Sequence, residues 1–210
     1  MLGKTHLVLG AASALLLTLP GTVPGLITAV TAGALGGWIV DIDAKEKNKE
    51  KNRTRIREPV YLKVLHGLLL GGILLLDLLI GKEMSGYVAD HWGLRTLAAL
   101  LTLAALTAFG AHTEHRTFTH SLPGFALFCG AMYLFCRPAA LPFLIGYASH
   151  ILADLCNFRA LQLFYPLKRY YSLKLCPSNG RENRILGWVC LGLTLALGAV
   201  LLWVALSAAG

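Results

Sequence analysis

The chain has 210 residues, of which 56% are hydrophobic and 14% are charged, and its mean hydropathy is +0.62. This composition argues against a soluble globular domain and predicts a membrane protein with several spans. The formal net charge of +8 would suit a nucleic-acid-binding protein, but the 19 Lys and Arg residues fall mostly between the apolar segments, where membrane proteins carry them.

The first predicted elements are two helices joined by a turn. Residues 7–40 carry no charged side chain, a stretch too long for one crossing of a hydrocarbon core that needs about 20 helical residues. Pro20 and Pro24 would break a continuous helix, so we predict helices at residues 5–19 and 23–40. A cleaved signal peptide is the alternative interpretation of the N-terminal apolar run.

Five further apolar segments of near-spanning length follow, at residues 60–80, 93–110, 118–136, 139–155 and 185–208. The chain is therefore predicted to be an all-α, polytopic membrane bundle of about seven transmembrane helices, in a single integral membrane domain over residues 1–210. The connections at residues 41–59 and 156–184 are predicted loops on one side of the membrane. The Gly33xxxGly37 pattern predicts close packing of the second helix against a neighbour.

The distribution of basic residues orients this bundle. In the seven-helix arrangement, Lys82, Arg95 and Arg137 fall on one side of the membrane, and the other Lys and Arg residues fall on the side of the N-terminus. Because cytoplasmic loops carry an excess of Lys and Arg, that second side is predicted to be cytoplasmic. We therefore expect a multi-pass protein of the inner (cytoplasmic) membrane with its N-terminus in the cytoplasm.

Polar side chains recur at the predicted cytoplasmic ends of four separate helices. They are His6 at the start of the first helix, Asp41 and Asp43 at the end of the second, His112, His115 and His120 around the start of the fifth, and His150 and Asp154 at the end of the sixth. Nothing in the assignment of the spans requires these residues to fall in one layer. Their convergence predicts a shared site.

The chemistry of this layer favours a divalent metal. Asp41 and Asp43 end a helix, where the helix dipole disfavours negative charge unless a cation is bound, although a solvated helix end among lysines is the alternative interpretation. His150 and Asp154 share a helix face at a spacing of four residues, which also occurs in hydrogen-bonded structural pairs. Together, His and Asp side chains suit zinc, and they suit manganese or iron where carboxylates are prominent.

Arg116 lies between two candidate ligands, His115 and His120. A cation in that position would repel a metal ion unless an anion bridges the two. The planar guanidinium binds phosphate and carboxylate groups through two parallel hydrogen bonds. Arg116 is therefore predicted to contact an anionic group of a ligand.

Five short motifs follow one another along the chain: "THLVLG" with His6, "DID" with Asp41 and Asp43, "HRTFTHS", "GYASHILAD", and "GREN" with Glu182. In their order and spacing, the chain resembles the YdjM-like family, described as LexA-regulated or LexA-binding inner-membrane metal-dependent hydrolases. That family is grouped with zinc-dependent phospholipase C and related single-strand nucleases, which are all-helical and hold a cluster of metals with His and Asp side chains.

The resemblance implies hydrolysis, by a metal-activated water, of a phosphoester in a lipid-linked or otherwise membrane-associated substrate. It implies about one to three divalent ions, zinc before manganese or iron. The expected metal ligands are His6, Asp43, His115, His120, His150 and Asp154. The residues expected to act on the substrate are Arg116, which would stabilise phosphoryl charge, and one of Asp41, Asp154 or Glu182, which would accept a proton.

Membrane lipids are the expected partners, direct binding of nucleic acid is not expected, and the basic loop leaves room for a cytoplasmic protein partner. Two other classes of function are the alternatives. One is an ion or lipid-headgroup transporter or flippase, for which ionisable residues near the membrane midplane and inverted repeats would be expected. The other is a non-catalytic scaffold that binds a cytoplasmic protein.

Overall fold

The computed structural model describes residues 3–43, 75–175 and 181–208, which form helices joined by turns and one longer loop. No β-strand occurs within these three ranges, although Leu161 and Tyr171 form an isolated antiparallel bridge. The predicted all-α class is therefore confirmed for the part of the chain that the structure describes.

The described residues contain seven α-helices. They are α1 Gly3–Thr18, α2 Val23–Ile39, α3 Glu83–Asp90, α4 Leu94–His112, α5 Leu122–Phe135, α6 Arg137–Leu155 and α7 Arg181–Ser207. A turn of 3₁₀-helix at Val40–Asp43 extends α2, and a turn of π-helix at Asp77–Gly81 precedes α3. The short α3 was not predicted, because it is amphipathic and the predicted helices were long apolar segments.

The predicted hairpin of the first two helices is confirmed. Pro20 lies in the turn between α1 and α2. Pro24 lies in the first turn of α2, where backbone N–H groups have no partner within the helix, so that proline costs no hydrogen bond there. The side chain of Thr22 caps α2 by accepting a hydrogen bond of 3.2 Å from the backbone N–H of Gly25. Local sequence alone is enough to place this break.

The start of α5 is set by Ser121, whose hydroxyl accepts a hydrogen bond of 3.1 Å from the backbone N–H of Gly124. The helix therefore covers Leu122–Phe135 and is shorter than the predicted segment at residues 118–136. Residues 115–121 instead form the turn between α4 and α5. This turn carries the whole "HRTFTHS" motif.

Four helical segments in the described ranges are long and apolar enough to cross a membrane: Val23–Asp43, Leu94–His112, Arg137–Leu155 and Arg181–Ser207. The apolar helices α1 and α5 are shorter than these. Most of the predicted span at residues 60–80, and most of the predicted loop at residues 41–59, lie outside the described residues. The total of seven transmembrane helices therefore stays a prediction.

Close contacts at glycine hold α1, α2 and α6 together. Gly33 of α2 faces Gly10 of α1 and Gly146 of α6, and a Cβ atom added at Gly146 would overlap the carbonyl oxygen of Gly33. Gly37 lies against the backbone carbonyl of His6 in the same way. These contacts confirm the close packing predicted from the Gly33xxxGly37 pattern, and they bring together three of the helix ends that carry the polar layer.

Helices α4 and α7 lie at the outside of the bundle. Only 17% and 11% of their apolar spanning windows are buried, against 50% for α2 and 44% for α6. Large apolar side chains of α7, such as Trp188 and Trp203, are exposed. A surface of this kind is expected for helices that face lipid rather than water.

Candidate metal centre

The predicted polar layer forms one cluster at the start of α1 and the ends of α2 and α6, next to the turn of residues 115–121. The cluster, called the site cluster below, consists of His6, Asp41, Asp43, His115, His120, His150 and Asp154. Five of these residues expose 1% or less of their surface, whereas the side chains of Asp41 and His115 expose 17% and 37%. Burying so many ionisable groups is costly unless they bind one another or a cation.

Donors from the 115–121 turn hold the carboxylate of Asp43. Its Oδ1 lies 2.8 Å from Nδ1 of His115. Its Oδ2 accepts hydrogen bonds of 3.0 Å from the backbone N–H of Arg116 and 2.8 Å from the hydroxyl of Thr119. These bonds join the end of α2 to the turn and fix the orientation of the carboxylate.

Asp154 joins α6 to α1 and to the same turn. Its Oδ2 accepts a hydrogen bond of 2.8 Å from Nη2 of Arg116. Its Oδ1 accepts one of 2.6 Å from the side-chain amide of Asn157 and lies 3.3 Å from Nε2 of His6. The ring of His6 stacks on the ring of His150, with centroids 3.6 Å apart. Side chains from three parts of the chain thus meet around one carboxylate.

The hydrogen bonds of two histidines leave one ring nitrogen of each available to a ligand. Nδ1 of His150 lies 2.7 Å from the carbonyl oxygen of Gly37, which can only accept, so Nδ1 carries the proton and Nε2 of the neutral ring keeps its lone pair. Nδ1 of His120 lies 3.1 Å from the hydroxyl of Thr119 and 3.3 Å from Oδ2 of Asp43. Both Nε2 atoms are buried and have no hydrogen-bond partner in the described part of the protein, which is the state expected of metal ligands.

Two imidazole nitrogens and two carboxylate oxygens lie close together in the site cluster. Nε2 of His120 and Nε2 of His150 each lie 3.6 Å from Oδ1 of Asp41, and they lie 3.6 Å and 4.0 Å from Oδ2 of Asp154. Ligands about 2.0–2.2 Å from a tetrahedral zinc ion are about 3.4 Å from one another. Contraction by about 0.2–0.6 Å would bring these four nitrogen–oxygen distances to that spacing, so the donor set suits a divalent metal.

The site cluster also divides into two groups of candidate ligands, and within each group the donor atoms lie within 4.8 Å of one another. The groups are Asp41, Asp43, His115 and His120 on one side, and His6, His150 and Asp154 on the other. They adjoin, because Nε2 of His120 lies 3.6 Å from Oδ2 of Asp154. Two adjoining groups are compatible with more than one ion, and the number of ions stays a prediction.

The charge of the cluster favours cations. Among the described residues, three carboxylates of the cluster share one guanidinium, that of Arg116, so this part of the cluster is anionic when its histidines are neutral. Burial lowers the pKa of His120, but the three neighbouring carboxylates outweigh burial and hold the pKa well above its ordinary value. Carboxylates that attract a proton to this ring also attract a divalent cation, which competes for the same nitrogen.

Arg116 has a φ of 70°, a left-handed conformation that is rare outside glycine. Its backbone N–H binds Asp43, and its carbonyl oxygen accepts a hydrogen bond of 3.0 Å from the backbone N–H of Gln162. Its guanidinium donates to Asp154 and to the carbonyl oxygen of Arg159, while Nε is buried without a hydrogen-bond partner among the described residues. Arg116 therefore orients Asp154. Its predicted contact with an anion would use N–H groups that these bonds leave over, among them Nε–H.

Two residues considered from the sequence lie apart from the cluster. Glu182 is exposed in the first turn of α7 and belongs to neither group of candidate ligands. His112 is exposed at the end of α4, where its Nδ1 lies 2.7 Å from the carbonyl oxygen of Ala108. The structure does not place Glu182 among the candidate ligands, and the choice among Asp41, Asp154 and Glu182 as proton acceptor stays a prediction.

Sequence reasoning missed two buried asparagines. Asn157 is fully buried and holds Asp154, and its position three residues after Asp154 is the spacing that places two side chains on one face of a helical turn. Asn183 is 1% exposed in the first turn of α7, and neither of its amide atoms has a hydrogen-bond partner in the described ranges. It lies in the "GREN" motif, of which only the glutamate was considered.

A family model described as YdjM inner membrane protein matches residues 1–209 of the chain. No curated protein and no solved structure matches the chain. The match extends over almost the entire sequence and confirms the resemblance inferred from the five motifs. The chain belongs to the YdjM inner membrane protein family.

Proposed function

We propose that the protein is a membrane-embedded, metal-dependent hydrolase of a phosphoester in a lipid or membrane-associated substrate. The observation that carries this proposal is a pair of buried nitrogens, Nε2 of His120 and Nε2 of His150, without hydrogen-bond partners in the described residues. They face oxygens of Asp41 and Asp154 at 3.6–4.0 Å. The proposed metal is zinc, with manganese or iron as alternatives, because the ligands combine imidazole with carboxylate.

The side chains of the cluster divide the work of such a reaction. A divalent metal held by His120, His150 and Asp154 would keep a position for a water, would lower the pKa of that water toward about 7 and would polarise a phosphoryl oxygen. Asp41 is the most exposed of the three carboxylates, which suits it to accept a proton from an attacking water. The buried guanidinium of Arg116 would stabilise negative charge that develops on the phosphoryl group.

The position of the cluster suggests a substrate that is already in the membrane. The cluster lies at the ends of apolar helices, and the family is one of inner membrane proteins. A phosphoester at the adjoining headgroup layer would reach this depth without crossing the hydrocarbon core. Because most basic residues fall on this side in the seven-helix arrangement, we propose that the side is cytoplasmic and that the N-terminus lies there too.

Metal analysis combined with a hydrolysis assay tests the proposal. The full-length protein, purified in detergent, is expected to contain zinc, as measured by elemental mass spectrometry. It is also expected to hydrolyse bis(4-nitrophenyl) phosphate or a dispersed phospholipid. His150→Ala and Asp154→Asn are expected to lose the metal and to lower the rate at least about a hundredfold, because each removes a predicted ligand.

Matched controls come from the end of α3. His91→Ala and Asp90→Asn alter exposed residues outside the site cluster and are expected to keep native metal content and rate. Thermal unfolding of all four variants separates loss of the site from loss of the fold. A native protein without metal, together with equal rates for native and variant proteins, would overturn the proposal.

A further inference from the structure

The chain between α6 and α7 contains a described, irregular part at residues 156–175, called the 156–175 segment below. It is attached to the turn that carries His115 and His120. The backbone N–H of Gln162 donates to the carbonyl oxygen of Arg116 at 3.0 Å, and the backbone N–H of Leu122 donates to the carbonyl oxygen of Leu163 at 2.8 Å. The segment is therefore part of the framework around the site cluster.

The surface of this segment is rich in exposed apolar and aromatic side chains. The exposed fractions are 70% for Leu175, 61% for Leu167, 56% for Tyr170 and Leu173, 55% for Phe158 and 44% for Phe164. Single exposed apolar residues are ordinary, but so many within one short segment outside a spanning helix indicate a surface that is covered by something other than water.

The charges of the same segment are all positive. Arg159, Lys168, Arg169 and Lys174 are exposed, and residues 155–175 include no Asp or Glu. Basic side chains that alternate with Tyr, Phe and Leu are typical of chain segments in the headgroup region of a bilayer. There the cations meet phosphate groups while the rings reach the upper part of the acyl chains.

We propose that the 156–175 segment binds the headgroup layer of anionic phospholipids in the leaflet that adjoins the site cluster. The exposed leucines of α6, among them Leu144 and Leu152, run along the helix that leads directly into the segment, so a lipid-facing surface continues into it. A protein partner fits this surface less well, because the core of protein interfaces is depleted in lysine.

Headgroup binding by this segment is linked to the site cluster by hydrogen bonds. Arg116, which holds Asp154, also donates to the carbonyl oxygen of Arg159. The hydroxyl of Ser172 donates to the carbonyl oxygen of Asn157, whose side-chain amide donates to Asp154. One or two hydrogen bonds thus connect residues of this segment to Asp154, a candidate metal ligand.

Amide hydrogen exchange of the full-length protein in nanodiscs tests this binding without a metal, substrate or activity readout, so its failure is distinguishable from failure of the proposed hydrolase. Exchange in residues 164–175 is expected to be about fivefold slower, or more, in discs that contain phosphatidylglycerol than in discs of phosphatidylcholine alone. The triple variant Lys168→Gln, Arg169→Gln, Lys174→Gln is expected to lose this difference.

A matched triple variant, Lys82→Gln, Arg95→Gln, Arg137→Gln, removes the same number of exposed cations elsewhere and is expected to keep the difference. A second test, Leu167→Ser with Tyr170→Ser, weakens the apolar contact and is expected to speed exchange in both types of disc. Equal exchange in both lipids, or a difference that survives neutralisation of the three cations, would overturn the proposal. Protection that appears only when a second protein copurifies would overturn it in favour of a protein partner.

Discussion

Two acidic clusters that contain buried aspartates lie at opposite ends of α2, and they differ in what surrounds the carboxylates. The site cluster lies at the end near Asp43. The other, called the outer cluster here, consists of Asp77 and Glu83 and lies beside Thr28 near the start of α2. Asp77 is 2% exposed and so is about as buried as Asp43 and Asp154 of the site cluster. Burial of an acid does not by itself distinguish the two ends.

The outer cluster is satisfied by donors of the chain itself. Asp77 accepts hydrogen bonds of 3.2 Å from the backbone N–H of Met84 and 2.8 Å from that of Ser85, so it caps the start of α3. Glu83 accepts one of 2.7 Å from the hydroxyl of Thr28. These carboxylates hold helix ends together and need no cation for that role.

The site cluster differs because its carboxylates share space with imidazole nitrogens, which can bind a metal. Backbone N–H groups can only donate, whereas Nε2 of His120 and Nε2 of His150 are ligand atoms without hydrogen-bond partners in the described residues. The comparison shows that a structural cap is distinguished from a ligand site by the groups around the buried carboxylate, and not by burial of the carboxylate. Four substitutions test this contrast.

The largest effect is expected from Asp43→Asn. The amide keeps the shape of the side chain but removes the charge that faces His115 and His120, so zinc affinity is expected to fall by more than about a hundredfold. Competition titration with a zinc chelator measures the loss. Glu83→Gln is the matched change in the outer cluster, and a comparable loss of affinity there would remove the distinction between the two ends.

Gly146→Ala is expected to destabilise the fold by about 3 kcal/mol, because the new methyl group would overlap the backbone of Gly33 and push α6 away from α2. Reversible unfolding in a denaturing detergent measures this change. Gly130→Ala in α5 is the control, since nothing lies within 4 Å of an added Cβ there. If both variants unfold alike, close packing at Gly33 does not support the site.

Thr119→Val is expected to lower zinc affinity by about 10–100-fold without loss of the fold, because its hydroxyl orients both Asp43 and the ring of His120. The same chelator competition detects the change. Thr28→Val removes the equivalent hydroxyl from the outer cluster and is expected to leave metal affinity at the native value. Unchanged affinity in Thr119→Val would contradict the positioning role assigned to this residue.

The smallest effect is expected from Asp77→Ala, which removes the cap of α3. A loss of about 1–2 kcal/mol in the free energy of unfolding is expected, with native metal content. Unfolding and elemental analysis of the same preparation check both parts. Loss of bound metal in this variant would show that the outer cluster is not purely structural.

Much of the fold is predictable because its causes are local. The break between α1 and α2 follows from two prolines, and the close packing of α2 follows from glycines four residues apart. The boundary of α5 was missed because "FTHS" looks like part of an apolar run. The side chain of Ser121 caps the start of α5 at Leu122, so the predicted span began four residues too early.

The membership of the candidate site was predictable to the extent that its residues lie at helix ends. His6, Asp43 and Asp154 come from three different helices, and the assignment of spans alone placed them in one layer. Glu182 also lies at a helix end, yet it is exposed, while its neighbour Asn183 is buried. Which of two adjacent residues faces inward depends on how α7 is rotated against α1, and no short motif encodes that rotation.

The sequence by itself determined that this is an all-helical protein with apolar spans, and that its histidines and aspartates gather at helix ends. The length of an apolar segment and the positions of proline and glycine act locally along the chain, so their effects can be predicted from the sequence. Only the tertiary structure decided which ring nitrogen each histidine offers. The Nδ1 of His150 is bound by the carbonyl of Gly37, a residue 113 positions away, and that contact leaves Nε2 facing the carboxylates. Contacts of this range depend on how helices pack together.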